Sequence, residues 1–323
     1  MTTSPAPAPA AAPPGARLVL AVPTFRRTPL LAALLPQLAA QVRELPGWAV
    51  EVLVVDNDPA GSAAPVVHGS SARYVHEPRP GISAARNRAL AEAGDADVLV
   101  FIDDDELPGP GWLAALTGAW SRWGCAAVTG PVVSQLPAGV DPWVTGSGVF
   151  DRLRRPPGAL LRGAATNNLL LDLVRVRALG LRFDDRLGLT GGEDTAFTHS
   201  LVHAGGEIRW CDDAEVLEPV PAPRLTRGWV RRRSFRSGSS WSRAEVLLAG
   251  SAAARWRLRG VLAARAAAHG LLGSARLLAA VLRRDDAARG RAACTLAGYA
   301  GLLTGALGYV YGEYARPAAP PAA

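Results

Sequence analysis

The sequence predicts an α/β protein, with a mostly parallel central sheet flanked by helices and a helical C-terminal extension. Three observations predict it. Short apolar runs alternate with segments of helical periodicity, the pattern of βαβ units. One of these runs, Val98-Leu99-Val100-Phe101-Ile102, shows no polar alternation, as expected of a central strand buried on both faces. The three clearest strands end in Thr24, Asp56 and Asp103, and a parallel sheet brings such ends to one edge, where ligands bind.

Taken in order, Arg17 to Val22 is the first strand, and Pro23-Thr24-Phe25-Arg26-Arg27 turns the chain. Thr28 followed by Pro29 reads as an N-cap with proline at the first helical position. Leu31, Leu34, Leu35, Leu38 and Val42 follow at helical spacing until Pro46-Gly47. Glu51 to Val55 is the second strand, closing on Asp56-Asn57-Asp58-Pro59, and Val66 to Val75 holds a short third. Gly81-Ile82-Ser83-Ala84-Ala85-Arg86-Asn87-Arg88 opens a helix that Gly94 stops, and Val98 to Ile102 is the fourth strand. A Trp-rich helix over 108–124 packs on the sheet, 125–129 is another strand, and 166–171 returns to a strand. Between them, 134–165 is Gly/Pro-rich and long enough to suggest a functional loop. Gly191-Gly192-Glu193-Asp194 then begins a helix with Phe197, Leu201 and Val202 on one face.

The composition excludes several chemistries. All 35 basic side chains counted as Lys or Arg are arginines, so there is no Walker A loop, no Schiff-base lysine and no lysine base. The formal charge of +7 would suit an anionic partner, but the Ala-, Gly- and Pro-rich, lysine-free composition reads as coding bias and weakens that inference. Cys125, Cys211 and Cys294 form no C-x-x-C pair, so neither a disulfide framework nor a cysteine zinc site is indicated, and a reducing cytoplasm is the simplest compartment. Residues 1–16 lack the apolar core of a signal peptide and are expected to be a disordered Pro/Ala-rich tail.

The chemistry concentrates where the fourth strand runs into Asp103-Asp104-Asp105-Glu106. Clustered carboxylates raise one another's pKa, and a divalent cation relieves that repulsion. Oxygen-only ligands favour Mg²⁺ or Mn²⁺ over zinc. A solvated acidic loop is the plain alternative. A nucleotide is the natural occupant of the cleft, yet no G-x-G-x-x-G follows the first strand, so metal and arginine must neutralise phosphate. Glu193 and Asp194 suit a helix N-terminus through the macrodipole alone, or one of them is a general base aimed into the cleft. His199 and His203, without a zincin glutamate between them, read as packing residues.

Beyond Arg227 the character changes. Arg231, Arg232, Arg233 and Arg236 form either a solvated basic face or a clamp on pyrophosphate. Residues 251–291 carry nine arginines and two aspartates among Leu and Ala, as expected of amphipathic helices near anionic lipid. Residues 292–312 carry no charge and are long enough to span a bilayer, but their weak hydrophobicity favours an interfacial or re-entrant helix.

Six stretches in this order carry a family resemblance: Val22-Pro23-Thr24-Phe25-Arg26-Arg27, Val54-Val55-Asp56-Asn57, Gly81 to Asn87, Phe101 to Glu106, Thr166-Asn167-Asn168 and Gly192-Glu193-Asp194. Over about residues 17–240 the chain resembles family 2 glycosyltransferases with the GT-A fold, and is similar to bacterial exopolysaccharide transferases of the succinoglycan type. The resemblance implies a GT-A domain over 17–228 and an Arg-rich, membrane-associated extension over 229–323. It implies that Pro23, Thr24, Arg26, Asp56, Arg86, Asp103 and Asp104 bind the donor nucleotide, with Asp56 accepting from a uracil or thymine imide. Asp105 would hold Mn²⁺ or Mg²⁺, Arg232 and Arg236 would meet the diphosphate, Glu193 would bind acceptor, and Asp194 would be the catalytic base.

The resemblance further implies an inverting transfer from a UDP- or dTDP-sugar to a glycan or lipid-linked acceptor. It places the enzyme at the inner face of the plasma membrane, with an anionic membrane surface and no nucleic acid as partner. Two departures stand out. Glu218 occupies the place of a histidine that often lies near the metal, and the Q-x-x-R-W motif of processive synthases is absent, which favours transfer of a single sugar. A sugar-phosphate nucleotidyltransferase uses a related sheet but would carry a Gly-rich loop with a basic partner. A nonenzymatic nucleic-acid or membrane-binding protein would explain the charge and leave the acids without a purpose.

Overall fold

The computed structural model describes residues 15–152, 154–309 and 312. In chain order the strands are β1 (Arg17–Thr24), β2 (Ala49–Asp56), β3 (Arg73–His76), β4 (Val98–Ile102), β5 (Leu107–Pro108), β6 (Ala127–Thr129), β7 (Val132–Gln135), β8 (Leu160–Leu161), β9 (Asn168–Asp172), β10 (Ile208–Trp210) and β11 (Val216–Pro219). The helices are α1 (Thr28–Arg43), α2 (Ala64–His68), α3 (Ile82–Glu92), α4 (Trp112–Trp123), α5 (Pro142–Thr145), α6 (Leu173–Ala178), α7 (Glu193–His203), α8 (Arg227–Leu248), α9 (Ala252–Leu282) and α10 (Asp286–Ala306).

Eight strands form the main sheet in the order β3-β2-β1-β4-β9-β6-β10-β8. The half that carries the polar strand ends is parallel, from β3 to β4, and β9 then runs antiparallel to both β4 and β6. The architecture is therefore the expected α/β sheet, mostly parallel and flanked by helices. A second, three-stranded sheet, β5-β11-β7, lies beside it.

Strand β4 explains its own unbroken hydrophobicity. Val98, Val100 and Ile102 join the core under α1 and α4, while Leu99 and Phe101 join the core under α3 and α7. Both faces are covered, so no position of the strand is left for a polar residue. Burial of each such side chain contributes about 1.5–3 kcal/mol. Trp112 and Trp120 of α4 seal one face, and their indole N–H groups donate to Asn168 (2.9 Å) and Asp172 (3.1 Å).

Three details depart from the sequence reading. Helix α1 begins at Thr28 with Arg27 as its cap, and the Arg27 side chain is turned into the acidic cluster instead of capping. The 66–75 stretch begins with the short helix α2 and pairs as a strand only from Arg73. The 134–165 stretch is partly ordered by α5, whose Trp143 and Val144 are buried with Val230 of α8 and Cys294 of α10. The tail expected over 1–16 lies outside the described residues except for Gly15 and Ala16, and Ala16 is buried and accepts from the Ala49 amide at 2.9 Å.

The C-terminal helices pack through glycines. A Cβ on Gly301 would stand 1.8 Å from the Phe235 carbonyl oxygen, and one on Gly305 would stand 2.2 Å from that of Ser239. Gly238 meets the Gly298 carbonyl with the same closeness, at 2.0 Å from its own would-be Cβ. The weak hydrophobicity of the 292–312 stretch is thus the signature of a close helix crossing between α10 and α8. Among the described residues, no helix is long and apolar enough to cross a membrane; Val310 and Tyr311 of that stretch lie outside them.

Candidate active site

Parallel register brings the predicted strand ends level. Thr24 pairs with Asp56, and Ala21 pairs with Phe101 on the other side, so Thr24 reaches the residues just past β4. The Thr24 hydroxyl donates to Asp104 Oδ2 at 2.7 Å, and Arg27 Nη1 donates to Asp104 Oδ1 at 2.8 Å. Asp104 is buried and serves as the tie between β1 and β4. Pro23 is buried beside it in β1.

The four acids have four different settings. Asp103 keeps 37% of its side-chain surface exposed, and burial of its remainder, with Asp105 and Asp104 beside it, pushes its carboxyl up to about 6 against the pull of Arg86. Asp105 faces two guanidiniums, with its Oδ2 at 3.0 Å from both Arg27 Nη1 and Arg224 Nη2. Glu106 is buried; it accepts from the Asp103 amide at 3.1 Å and from the Asn167 side chain, and burial raises its pKa well above the ordinary value. The alternative of a solvated acidic loop does not hold at Glu106, which braces Asp103 from below.

Arg86 links this cluster to the second acidic element. It is buried on α3, pairs with Glu193 Oε1, lies 3.9 Å from Asp103 Oδ1, and sits over the Phe183 ring. Glu193 is itself buried, and burial pushes its carboxyl up to about 7 although Arg86 pulls it down. Its Oε2 has no partner among the described residues. Asp194, the next residue, is half-buried in the first turn of α7 and accepts from the Thr195 amide at 2.7 Å. The structure thus brings Arg86, Asp103 and the Glu193-Asp194 pair together from three separate stretches.

The turn before α7 fits closely. Gly192 has φ of 92°, and a Cβ there would stand 2.8 Å from the Ser240 carbonyl of α8. Gly81, with φ of 112°, meets the Gly188 carbonyl at the same distance and donates its amide to Asn57. Helix α8 is held on this turn by Arg243, whose Nη1 donates to the Thr190 hydroxyl at 3.0 Å, and by Glu245, 2.6 Å from His199 Nδ1. His203 turns its Nδ1 to the His199 carbonyl of its own helix.

Other predicted residues stand differently from the expectation. Asp56 is wholly buried, with its carboxylate accepting from the amides of Asp58 (2.9 Å) and Ala63 (2.8 Å) and the Tyr74 hydroxyl (3.2 Å). Three of the roughly four acceptor sites of the carboxylate are thus taken, and because the group is wholly buried a base reaches Asp56 only if the 57–63 turn opens. Arg26, with φ of 54°, donates its Nε to Asp58 at 3.1 Å and remains exposed at the rim. Among the described residues, the guanidiniums paired with Asp103, Asp104 and Asp105 belong to Arg27, Arg86 and Arg224, not to Arg232 or Arg236. Arg232 is exposed on α8.

Arg224 was missed in the sequence. It lies in a single 3₁₀ turn after β11, and its Nη1 is 3.2 Å from Glu218. Glu218 also holds Arg152, from the stretch expected to be a functional loop. Among the described residues, the residue in place of the histidine thus reaches Asp105 through Arg224. Asn168, quoted only as part of a motif, donates to the Pro131 and Ala214 carbonyls and joins the two sheets.

Comparison with known proteins bears on the family and the fold. The family model described as Glycosyl transferase family 2 matches residues 19–182. The succinoglycan biosynthesis protein ExoM of Rhizobium meliloti (strain 1021) is 37% identical over 231 residues, covering 69% of this chain and 74% of that one. Among solved structures, the mannosyltransferase PcManGT from Pyrobaculum calidifontis, in complex with GDP-Man and Mn²⁺, superposes with a TM-score of 0.57 at 23% identity, over 90% of this chain and 87% of that one. GalNAc-T7 with UDP, GalNAc and Mn²⁺ gives a TM-score of 0.51 at 13% identity, over 73% of this chain and 52% of that one. At these identities the two structures speak to the fold.

Proposed function

The chain belongs to glycosyl transferase family 2, and from that premise we propose that it moves one sugar, with inversion, from a nucleotide-diphosphate sugar to a hydroxyl of a lipid-linked glycan. The product enters an exopolysaccharide or cell-surface polysaccharide, and the enzyme works at the inner face of the plasma membrane. The likeness to ExoM supports the polymer class. The observation that carries the chemistry is Arg86, which ties Asp103 at the end of β4 to Glu193 at the start of α7.

The transferase unit is taken as 17–228 and the extension as 229–323. The donor is a UDP- or dTDP-sugar lying over the ends of β1, β2 and β4, bordered by Pro23, Thr24, Arg26, Asp56, Arg86, Asp103 and Asp104. Arg232 and Arg236 are kept as partners of the departing diphosphate, and Arg27 and Arg224, which flank Asp105, are added to them.

A divalent cation fits this donor set. Asp105 and Asp103 offer the hard carboxylate oxygens that Mg²⁺ or Mn²⁺ prefers, and they would hold the ion beside the diphosphate. Bound there, it supplies Lewis-acid stabilisation of the leaving diphosphate. Asp194 accepts the proton of the acceptor hydroxyl as that oxygen attacks the anomeric carbon. Glu193 orients the acceptor, and its unpartnered Oε2 is an acceptor atom that an incoming hydroxyl satisfies. A single displacement inverts the anomeric centre without a covalent enzyme intermediate. The test is to incubate the purified protein with a panel of nucleotide sugars and Mn²⁺ and to follow donor hydrolysis. Turnover of one donor supports the reading, and silence across the panel with folded protein refutes it.

A further inference from the structure

Helix α9 has one face packed and one face bare. Leu262 and Ala266 are buried with Val246 of α8 and with Leu302 and Ala306 of α10. Gly273 lies against Leu296 on the same side. On the opposite side a stripe steps by three or four residues from Trp256 through Gly260, Ala264, Ala267, Leu271, Ala275 and Leu278 to Leu282. Every residue of it is exposed, with Trp256 at 70%, Leu271 at 77% and Leu282 at 76%. The outward side of a helix is ordinarily its polar side, and here the rule is reversed from Trp256 to Leu282, most of the length of a 31-residue helix.

Charge tells what covers this face. Between Ala252 and Arg284 every charged side chain is an arginine, and the first carboxylate after Glu245 is that of Asp285. A second copy of the chain paired through α9 would bring arginines against arginines with no acid to answer them. An anionic surface with an apolar interior answers both the arginines and the stripe. Crossing is not available to this helix, which is held on its other side by protein and is not long and apolar enough.

We propose that the outward face of α9 docks on an anionic lipid bilayer, lying in the interface with Trp256 and the leucines among the acyl chains and the arginines at the headgroups. The proposal deepens the reading of a lipid-linked acceptor and rests on that reading for the membrane alone, since vesicle binding is measured without catalysis.

The test is co-sedimentation of the full chain with phosphatidylcholine vesicles, with and without phosphatidylglycerol. Binding is expected to require the anionic lipid. The double variant Leu271→Glu/Leu278→Glu is expected to lose about tenfold or more in partitioning. Arg257→Gln and Arg265→Gln are each expected to lose roughly fivefold. These exposed substitutions are expected to leave circular dichroism and nucleotide binding unchanged. Equal binding to neutral vesicles, or binding indifferent to the variants, overturns the proposal. So does a concentration-dependent dimer in light scattering that the double variant abolishes, because it assigns the face to a second copy. Vesicle binding through α9 with transfer only to soluble acceptors upholds the docking surface and refutes the lipid-linked acceptor. Transfer to lipid-linked acceptor by a chain that never binds vesicles does the reverse.

Discussion

Arg224 Nη2 lies 3.0 Å from Asp105 Oδ2, so the carboxylate proposed to meet a divalent cation is already met by a guanidinium. The two cations compete for one oxygen. Arg224→Gln is therefore expected to tighten binding of free Mn²⁺ by roughly fivefold. The same change is expected to weaken binding of Mn²⁺ with UDP, because a partner of the diphosphate is lost. Isothermal titration with and without nucleotide separates the two effects, and a shift of both in one direction contradicts the competition.

Asp194→Asn preserves the shape of the α7 N-terminus and removes the proton acceptor. Transfer is expected to fall by about 10²–10⁴, with nucleotide affinity unchanged. Near-normal turnover in that variant, measured beside nucleotide binding, would remove Asp194 from the mechanism.

Arg86 offsets one buried acid, Glu193, and one partly exposed acid, Asp103, and pH should reveal it. Glu193 rises from 4.5 to about 7 and Asp103 from 3.8 to about 6, burial being the main cause in each. A carboxyl whose pKa is higher folded than unfolded holds its proton more tightly in the native state. Its contribution favours the fold at low pH and is lost as pH climbs from the unfolded value through the folded one. Thermal stability of the native chain is thus expected to receive a falling contribution between about pH 4 and pH 7 from these groups. Arg86→Met strands the carboxylates and is expected to cost about 3–5 kcal/mol at pH 8, and visibly less at pH 5.5, where both can stay protonated. A penalty independent of pH would show that Arg86 matters only for packing.

The crossing of α8 and α10 makes a sharper stability test. Gly301→Ala puts a methyl group 1.8 Å from the Phe235 carbonyl oxygen, whereas at Gly298 the nearest atom is 3.6 Å away. Overpacking at Gly301 is expected to cost about 1–3 kcal/mol, read as a lowered Tm. Gly298→Ala, in the same helix, is expected to be neutral or slightly stabilising. Equal effects at both positions would contradict the close approach.

What could be read from the chain follows the range of the interactions. The strands β1, β2 and β4 were legible because apolar runs and their polar ends are local signals, whereas their order in the sheet was not read from the sequence. The acids at 103–106 were legible as a cluster because like charges in sequence must be neighbours in space. Arg224 was not: its partner Asp105 is 119 residues away, and its own turn, between Pro223 and Leu225, carries no periodicity. Arg27 hid behind Thr28, whose capping chemistry is the stronger local cue. The 292–312 stretch misled for the opposite reason, since average hydropathy cannot distinguish a glycine that faces lipid from one that lets another helix come close. Asp56 was located correctly at its strand end, but two of its hydrogen bonds come from a turn whose folding no short motif reveals, and the third from Tyr74 on the neighbouring β3.

Helix α8 is pressed from two sides, by the Gly192 turn at Ser240 and by the glycines of α10 at Phe235 and Ser239. A fragment ending at Leu248 would retain every residue of the cleft and lose the surface against which α8 is seated. Tolerance to truncation is therefore set by residues 286–306, far beyond the last one that touches chemistry. A glycine in that distant helix is constrained by the same fit that constrains the glycine before Glu193, and the two are expected to drift together or not at all as the sequence diverges.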